Sequence, residues 1–398
     1  MSFDLDRCQR LSDPAAGPLI DAAAAIDPTD VAAVARWRKR YAADELAAAF
    51  ELIDARRRGA AKFGELARQM ILDRVGVEQA SGLAVARVKA DRIETLMGGH
   101  GGVWDLCCGV GGDAMALAAA GLDVTAVDRD PMRTWQASHH AALLTGRAIR
   151  TEVADVAAFD PPAGAAVHLD PDRRVGGRRR FDPGDYEPGL AVIERLAARS
   201  TPTAVKLAPG VDPEALPAGE TQWISHAGRL VQAVWWTGPV EPGVRRATLV
   251  DAGDPAREAP TAHELTGMAG LAPVADGLGR WVFEADAAAE RAGLLHALGE
   301  PLGLGEAHPG LGLLTGGADI DSPWLTGFEV LARLPWRRDK VKAEVARLGG
   351  GIVEVKTRAQ ACDPDVEQKR LRGRGDAPLC VFVLRLGRKV EAWVTRRG

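Results

Sequence analysis

The sequence predicts an α/β protein: a helical domain, then a parallel sheet, then a small α/β module. Three observations predict this class. Over residues 98–250, short apolar strands alternate with helical patterns, as in βαβ units. Residues 1–97 show mainly the three- and four-residue apolar spacing of amphipathic helices. Residues 326–398 repeat the alternation of strands and helices on a smaller scale.

The amino-acid composition excludes several classes of protein. The chain has 398 residues, 46% of them hydrophobic and 26% charged, which are ordinary globular values and exclude a disordered, collagen-like or coiled-coil protein. No apolar run approaches the roughly 18 residues of a membrane span, and the N-terminus lacks the apolar segment of a secretory signal. The cysteines are too few and scattered for a disulfide framework or a zinc site, which indicates the reducing cytoplasm; they are Cys8, Cys107, Cys108, Cys362 and Cys380.

Charge is distributed unevenly along the chain. From Arg333 to the end there are 17 Lys and Arg against 8 Asp and Glu, a net +9. The whole chain carries −4, so the preceding part carries −13. A basic terminal module on an acidic body indicates a polyanionic partner, although a merely solvated surface stays open.

The elements are predicted in order as follows. Helical spacing covers residues 30–41, 43–57 and 65–74 of the N-terminal domain, 1–97. In the domain over 98–250, strands are predicted at 102–108, 123–128, 150–155, 166–170, 203–208, 230–236 and 245–251, with helices at 113–121 and 133–144. Residues 251–325 are interpreted as a connecting region with one helical piece, 287–298. The C-terminal module, 326–398, has strands at 328–333, 352–357, 379–386 and 390–394 and helices at 337–348 and 364–372.

A glycine-rich turn follows the first predicted strand of the sheet. Its sequence, DLCCGVGGD over residues 105–113, leaves the strand and opens a helix. Glycines permit a tight turn and close approach of a ligand, and free amides at a helix start favour polar or anionic groups. The next strand ends in Asp128, 19 residues after Gly109, where a carboxylate can accept hydrogen bonds from ribose hydroxyls.

Two cofactors fit this turn, and a purely structural turn also stays open. Gly109, Gly111 and Ala114 satisfy the loose dinucleotide pattern. Asp105 is not part of that pattern and is typical of S-adenosylmethionine (SAM) sites, where the carboxylate faces the methionine ammonium group. Asp155, after the third strand, suits the adenine amino group. Acids at three successive strand ends favour SAM over a pyrophosphate; the predicted cofactor-binding residues are Asp105, Cys107, Gly109, Gly111, Asp113, Asp128, Arg129 and Asp155.

The run WDLCCGVGGDAMALAAAGLDVTAVDRDP over 104–131 resembles class I SAM-dependent methyltransferases. More narrowly, the chain resembles the bacterial group with a C-terminal THUMP-like domain, and the resemblance covers most of it from about residue 65. The other matching segments are 67–87, 168–174, 205–211, 321–331 and 356–375. The resemblance implies a Rossmann-like sheet and SAM as cofactor. It also implies RNA as partner, since THUMP domains proper bind RNA and the catalytic domain is similar to RNA guanine-N2 methyltransferases.

The fourth strand ends in the segment HLDPDRR, residues 168–174. In methyltransferases of this class the following loop lines the acceptor pocket, and amine-modifying members place Asn, Asp or Ser there, then two prolines and an aromatic. Asp170 and Pro171 match and are the predicted catalytic residues, holding an amine for direct methyl transfer mainly by positioning. Asp172 and Arg173 depart from the pattern, and an Arg plane can also stack on a base. Uracil-5 methyltransferases share Asp-Pro-x-Arg but need a cysteine after the next strand, and residues 205–209 contain none.

Basic residues surround this predicted acceptor site. Five arginines stand between residues 173 and 180, where they would clamp phosphates or form a solvated loop paired with nearby acids. Arg173 and Arg174 are predicted to bind substrate. Lys206, which ends the following strand, is predicted to do so too; an ion pair with Asp170 or Asp172 is the open alternative.

These observations predict a cytoplasmic SAM-dependent methyltransferase that acts on RNA at an amine nitrogen, guanine N2 being favoured. The alternatives are a protein or small-molecule methyltransferase, and a non-catalytic RNA-binding protein with a vestigial SAM fold. Against the last, Asp105, Asp128 and Asp170 are intact. The eight histidines show no metal-ligand spacing, so no metal is predicted, and the pair His139-His140 is expected to be exposed.

Overall fold

The computed structural model describes residues 3–98, 101–172, 174–175, 178–179, 186–251, 253 and 260–398. The chain divides into two compact units. The first comprises Met1–Ala227, Val231–Gly243 and Val250–Ala262, and the second comprises Gly228–Leu230, Val244–Leu249 and His263–Gly398. Within the described ranges, no helix is both long and apolar enough to cross a membrane.

The first unit opens with six helices: α1 Leu5–Ser12, α2 Gly17–Ala25, α3 Val31–Trp37, α4 Ala43–Phe63, α5 Arg74–Gln79 and α6 Leu83–Met97. The helices predicted at 30–41 and 43–57 are confirmed. The helix predicted at 65–74 is wrong: a short 3₁₀ turn, Gly64–Arg68, is followed by extended chain. Met70, Ile71 and Leu72 are all buried, so this stretch crosses the core and does not present one apolar face. A side chain supplies a hydrogen bond to the backbone of this stretch: Arg56 Nε donates to the Met70 carbonyl at 2.8 Å.

The strands of the first unit's sheet and the helices between them follow. Its elements are β1 Gly102–Leu106, α7 Gly112–Ala119, β2 Asp123–Asp128, α8 Pro131–Thr145, β3 Arg150–Val153, β4 Ala166–Leu169, β5 Arg174–Val175, β6 Arg178–Arg179, α9 Leu190–Arg199, β7 Thr203–Leu207, β8 Glu220–His226 and β9 Arg229–Thr237. Within the first unit, the strand order is β8-β9-β7-β4-β1-β2-β3. β3, β2, β1, β4 and β7 run parallel, and β9 is antiparallel to β7. β5 and β6 form a separate antiparallel pair.

The predicted strands and helices of this sheet are confirmed. The helix α9 and the short β5–β6 pair were missed, and so was β8. Its sequence, ETQWISH, mixes polar and apolar residues, although nearly all of it is buried. The polar side chains have partners inside the fold: Gln222 accepts a hydrogen bond from Trp236 Nε1 at 2.8 Å, and Glu220 pairs with Arg92 at 2.7 Å. Burial therefore depends on partners from distant segments, which local hydrophobicity does not reveal.

The remaining elements are β10 Arg245–Val250, β11 Ala262–Gly267, β12 Trp281–Ala285, α10 Ala287–Ala292, α11 Leu295–Gly299, β13 Gly305–Glu306, β14 Leu313–Gly316, β15 Leu325–Pro335, α12 Arg338–Arg347, β16 Gly350–Arg358, α13 Pro364–Leu371, β17 Ala377–Leu386 and β18 Lys389–Arg397. The second unit holds a sheet in the order β13-β14-β12-β15-β18-β17-β16.

The strands and helices predicted at 326–398 are confirmed, and the helical piece at 287–298 is present as α10 and α11. The predicted connecting region also supplies β12, β13 and β14 to the sheet of the second unit. Val282 of β12 and Leu313 of β14 share a buried cluster with Phe328 and Phe382. The division into four segments stays a prediction.

Candidate cofactor and acceptor site

A cavity of about 320 Å³ lies at the carboxyl ends of the parallel strands of the first unit, a volume typical of small-molecule sites. The turn after β1, the ends of β2 and β4, and the segments after β3 and α5 supply its walls. Of the predicted site residues, those that line it are Cys107, Gly109, Asp113, Asp128, Arg129, Asp155, Asp170 and Pro171. Because parallel strands end at one edge of the sheet, residues far apart in sequence meet here.

The glycine turn has the conformation that its sequence predicts. Gly111 has φ +82°, and a Cβ there would stand 2.5 Å from Ala137 Cα on α8, so any side chain would force the helices apart. Gly109 has φ +53°, and a Cβ there would meet no atom within 4 Å. The absence of a side chain at Gly109 therefore leaves space beside the backbone on the cavity wall.

Asp128 at the end of β2 ties the turn to the sheet. One carboxylate oxygen accepts a hydrogen bond from the Gly109 amide and the other from the Asp130 amide, both at 3.0 Å. Burial raises the pKa of Asp128, and these two amide donors oppose that shift. Arg129 points to the rim, where it pairs with Glu187 at 2.7 Å. Asp155 is exposed beside β3 and accepts from the Ala157 amide at 2.9 Å.

Asp105 lies deeper than the cavity wall. Its carboxylate is fully buried, and its Oδ1 lies 2.7 Å from His168 Nδ1 on β4. Its Oδ2 has no hydrogen-bond partner among the described residues. Burial raises the pKa of Asp105, and the hydrogen bond from His168 opposes this.

Asp113 and Lys89 form a second buried pair next to Asp105. Lys89 Nζ on α6 lies 2.5 Å from Asp113 Oδ1 on α7. Burial would raise the pKa of Asp113, but the cations around it, led by Lys89, hold it well below its usual range. Asp113 reaches the cavity wall, so this buried pair connects the helical segment to the site.

The predicted acceptor residues lie at the rim of the same cavity. Asp170 Oδ2 pairs with Lys206 Nζ at 2.6 Å, and Lys206 also donates to the Gln79 carbonyl at 3.1 Å. Lys206 is 3% exposed, so its position fits the ion-pair alternative. Arg174 is described only as backbone in β5, and Arg173 lies outside the described residues.

The sequence reasoning missed several residues of the site. Gly76, Glu78, Gln79, Ala80 and Ser81 form one wall of the cavity. They belong to the segment 67–87. The resemblance of that segment to the family was the sequence feature that could have identified them. Nothing in the sequence around Lys89 indicates that this residue belongs to the site.

The expectation for the histidine pair is wrong at His140. Its ring is fully buried and bridges two segments: Nε2 accepts from the Ile71 amide at 3.0 Å, and Nδ1 donates to the Val110 carbonyl at 2.8 Å. Burial lowers its pKa to about 4. His139 is partly buried and stacks on Trp135, with ring centroids 4.8 Å apart, so it is not fully exposed either.

Burial makes the two cysteines of the turn poor nucleophiles. Burial raises the pKa of both the Cys107 and Cys108 thiols well above the usual value, so they stay protonated near neutral pH. Cys107 adopts φ 57°, a rare backbone conformation for a residue with a side chain, and it lines the cavity as a small neutral group.

Comparison with known proteins agrees with this geometry. Residues 325–397 match the family model described as THUMP domain-like. Two relatives from Mycobacterium tuberculosis, strains CDC 1551 / Oshkosh and ATCC 25618 / H37Rv, are named uncharacterized S-adenosylmethionine-dependent methyltransferases. Each is 34% identical over 346 residues, covering 83% of this chain and 90% of the relative. The crystal structure of a putative methyltransferase from Porphyromonas gingivalis W83 is 18% identical, covers the whole of both chains and superposes with a TM-score of 0.75.

The sheet, the glycine turn and the acidic strand ends define a class I methyltransferase fold. The chain belongs to the S-adenosylmethionine-dependent methyltransferase family, and it carries a C-terminal THUMP-like domain. It is an enzyme, and SAM is its cofactor. The described residues fit that cofactor: Gly109 leaves open space on the wall, Asp128 and Asp155 offer acceptors, and Asp105 has a buried unpaired oxygen.

Proposed function

We propose that this enzyme methylates RNA at an amine nitrogen, with guanine N2 as the favoured atom, in the cytoplasm. The observation that carries the amine chemistry is Asp170. Its Oδ2 is fixed by Lys206 at 2.6 Å, and its Oδ1 has no hydrogen-bond partner among the described residues. A carboxylate held in this way at the cavity rim suits an N–H donor of the acceptor.

The residues divide into two groups. Asp105, Asp128 and Asp155 would hold SAM, which when bound supplies a methyl group on a positively charged sulfur. Asp170 would accept a hydrogen bond from the target amine and orient its lone pair, and it offers an acceptor for the proton that the amine gives up. Positioning of this kind accounts for most of the acceleration expected in a direct transfer. Pro171 shapes the same rim.

Two features support RNA as the substrate. The domain at 325–397 is similar to THUMP domains, which bind RNA. The segment from Arg333 to the end carries a net +9, so it would attract a polyanion. The five cysteines are free thiols, which fits a reducing compartment such as the cytoplasm.

The test is methyl transfer from labelled SAM into material from cells that lack this gene, so that the target is unmodified. Label is expected in the RNA fraction and, after digestion to nucleosides, in N2-methylguanosine. Label confined to protein or small molecules would overturn the RNA proposal. Label in 5-methyluridine would overturn the amine chemistry, and label in another methylated amine would overturn only guanine N2.

Replacing Asp170 tests its role in the same assay. Asp170→Ala is expected to lower single-turnover transfer by about 100-fold or more, while SAM affinity changes less than about threefold. The reason is that Asp170 acts at the acceptor and not at the cofactor. Asp123→Ala is the matched control, because Asp123 is an exposed aspartate at the start of β2, at the end of the strand away from the cavity. Transfer by Asp170→Ala at the wild-type rate would show that Asp170 is structural.

A further inference from the structure

Four buried side chains behind the glycine turn are linked by hydrogen bonds and one ion pair: Lys89 on α6, Asp113 on α7, His168 on β4 and Asp105 on β1. Lys89 Nζ contacts three groups: Asp113 Oδ1 at 2.5 Å, His168 Nε2 at 3.1 Å and Ser81 Oγ at 3.2 Å. An ammonium has three donors and no acceptor, so Lys89 donates to His168 Nε2 and Ser81 Oγ, and it faces Asp113 Oδ1 as an ion pair. A fully buried lysine is costly, and a close carboxylate with two hydrogen-bond acceptors offsets part of that cost.

Burial lowers the pKa of Lys89, and the adjacent Asp113 carboxylate opposes that shift. With Lys89 charged, the proton positions follow from the geometry. Because Lys89 donates to His168 Nε2, that nitrogen is an acceptor and the ring is neutral. The ring proton is therefore on Nδ1, which donates to Asp105 Oδ1 at 2.7 Å. Lys89 thus sets the tautomer of His168, and His168 in turn fixes one oxygen of Asp105.

The charges of these four side chains do not balance. Two carboxylates and one ammonium leave one net negative charge in a buried region beside the cavity wall. Asp105 Oδ2 has no hydrogen-bond partner among the described residues. A buried, unpaired carboxylate oxygen requires a cation or donor from elsewhere, and the ammonium group of SAM's amino-acid part is a cation of suitable chemistry.

We propose that Lys89 and His168 are positioning residues for the cofactor: through His168, Lys89 orients Asp105 so that its free oxygen receives the amino-acid end of SAM. The helical N-terminal segment would then contribute to cofactor binding through α6. Neither residue has to touch SAM. The proposal rests on the enzyme's cofactor and is independent of its RNA substrate.

Two isosteric variants at one position separate this role from packing. In His168→Asn, the amide nitrogen takes the place of Nδ1 and keeps a donor for Asp105. In His168→Gln, the amide reaches the place of Nε2 and that donor is lost. Calorimetric titration with SAM on the full chain should give wild-type affinity within about threefold for H168N and a loss of about 10- to 100-fold for H168Q.

Lys89→Met removes the ammonium at similar length and should weaken SAM by a comparable factor. The matched ligand control is 5′-methylthioadenosine, which keeps the nucleoside but lacks the amino-acid part. Its affinity should stay within about threefold of wild type in all three variants, because the oriented oxygen serves only the ammonium. Equal loss for both ligands, equal behaviour of H168N and H168Q, or wild-type SAM affinity of Lys89→Met would each overturn the proposal.

Two further measurements complement these titrations, and the first needs only the wild-type protein. Selective nitrogen-15 labelling of histidine in the wild-type protein, with His168 assigned through its backbone, should show a neutral ring protonated on Nδ1. A charged ring or the Nε2 tautomer would overturn the relay.

The second measurement is pH dependence. SAM affinity should fall as pH falls through the raised pKa of Asp105, since binding needs the carboxylate. Asp105 faces His168 from β4, Asp113 from α7 and Lys89 from α6. Loss of the Nδ1 donor in H168Q raises the pKa of Asp105 further, so its fall in affinity should begin at a higher pH than in H168N. Superimposable pH profiles of the two variants would contradict the role of His168.

Discussion

At the scale of single residues, Asp128 serves the fold and the cofactor site together. Its two oxygens accept backbone hydrogen bonds from Gly109 and Asp130, which fixes the turn against the end of β2. Each carboxylate oxygen has more than one lone pair, so these bonds leave acceptor capacity for ribose hydroxyls. Burial raises its pKa, and hydrogen bonds to the charged form oppose that change.

Asp128→Ala is therefore expected to weaken SAM binding by about 1–3 kcal/mol, because charge-assisted hydrogen bonds to the ribose are lost. Calorimetric titration of the folded variant measures this. Asp123→Ala is the matched control, since Asp123 begins the same strand at its opposite end and is exposed. Unchanged affinity in Asp128→Ala would remove Asp128 from the cofactor site.

The burial of His140 makes the free energy of unfolding depend on pH and sets the direction of that dependence. Its pKa is lowered to about 4 in the folded protein from the ordinary 6.5. Between these values the unfolded chain binds a proton that the folded protein does not. The free energy of unfolding should therefore fall as pH falls from 6.5 toward 4, by about 3 kcal/mol from this residue.

His140→Gln removes this titration. Urea unfolding at pH 7, 6 and 5 should show the variant less stable than the wild type at pH 7, because the bridge between Ile71 and Val110 is weakened. The stability difference should narrow as pH falls, since only the wild type loses the His140 contribution. A constant difference across this range would contradict the account of His140.

The sequence predicted those site residues that the strand ends identify. Asp128 and Asp170 follow short apolar strands, so their meeting at one sheet edge could be expected. Lys89 could not be found in this way, because a lysine on an amphipathic helix is ordinarily a surface residue. His140 was misjudged for a related reason: its burial depends on the Ile71 and Val110 backbone, which no local pattern specifies.

At the scale of elements, α5 depends on side chains from other segments. Asp73 caps its start by accepting from the Gly76 amide at 2.9 Å, and Arg133 of α8 pairs with Asp73. At its other end, Lys62 Nζ of α4 donates to the Val77 carbonyl at 2.7 Å and the Ala80 carbonyl at 2.6 Å. The last carbonyls of a helix have no partner within it, and a cation is a favourable one.

Lys62→Met should therefore lower the free energy of unfolding by about 1–3 kcal/mol, since it removes charged hydrogen bonds and leaves carbonyls unpaired. Thermal and urea unfolding measure this loss. Lys39→Met is the control, because Lys39 is exposed and should change stability by less than about 0.5 kcal/mol. Equal stability of the two variants would show that Lys62 does not support α5.

Elements with a regular pattern were predictable, and those stabilised by distant partners were not. β1, β2 and α7 follow directly from alternation and helical spacing. β8 is buried through polar pairs with other segments, and residues 70–72 pass through the core as extended chain. In both, the tertiary environment outweighs the local preference.

At the scale of the whole molecule, the basic charge lies in a sheet that cannot be cut from the chain at its predicted border. β12 pairs along its whole length with residues 325–329 of β15, for example Val282 with Phe328, so a truncation before residue 328 would remove one of the two strands that β12 pairs with. Tests of RNA binding therefore need full-length variants. The cations Lys369, Arg372 and Arg374, at and after the end of α13, are exposed and have no ion-pair partner among the described residues.

Replacing Lys369, Arg372 and Arg374 together by Ala should weaken RNA binding and leave SAM affinity unchanged. If each contacts one phosphate, the plot of log affinity against log salt should become shallower by about one to three units, because each contact releases roughly one counterion. Mobility shifts with total cellular RNA at several salt concentrations measure this slope. The control is the triple alanine variant of the exposed residues Arg38, Lys39 and Arg40, which removes the same charge from the helical segment. Equal losses in both variants would indicate only long-range attraction, and no change in either would show that the basic segment does not bind RNA.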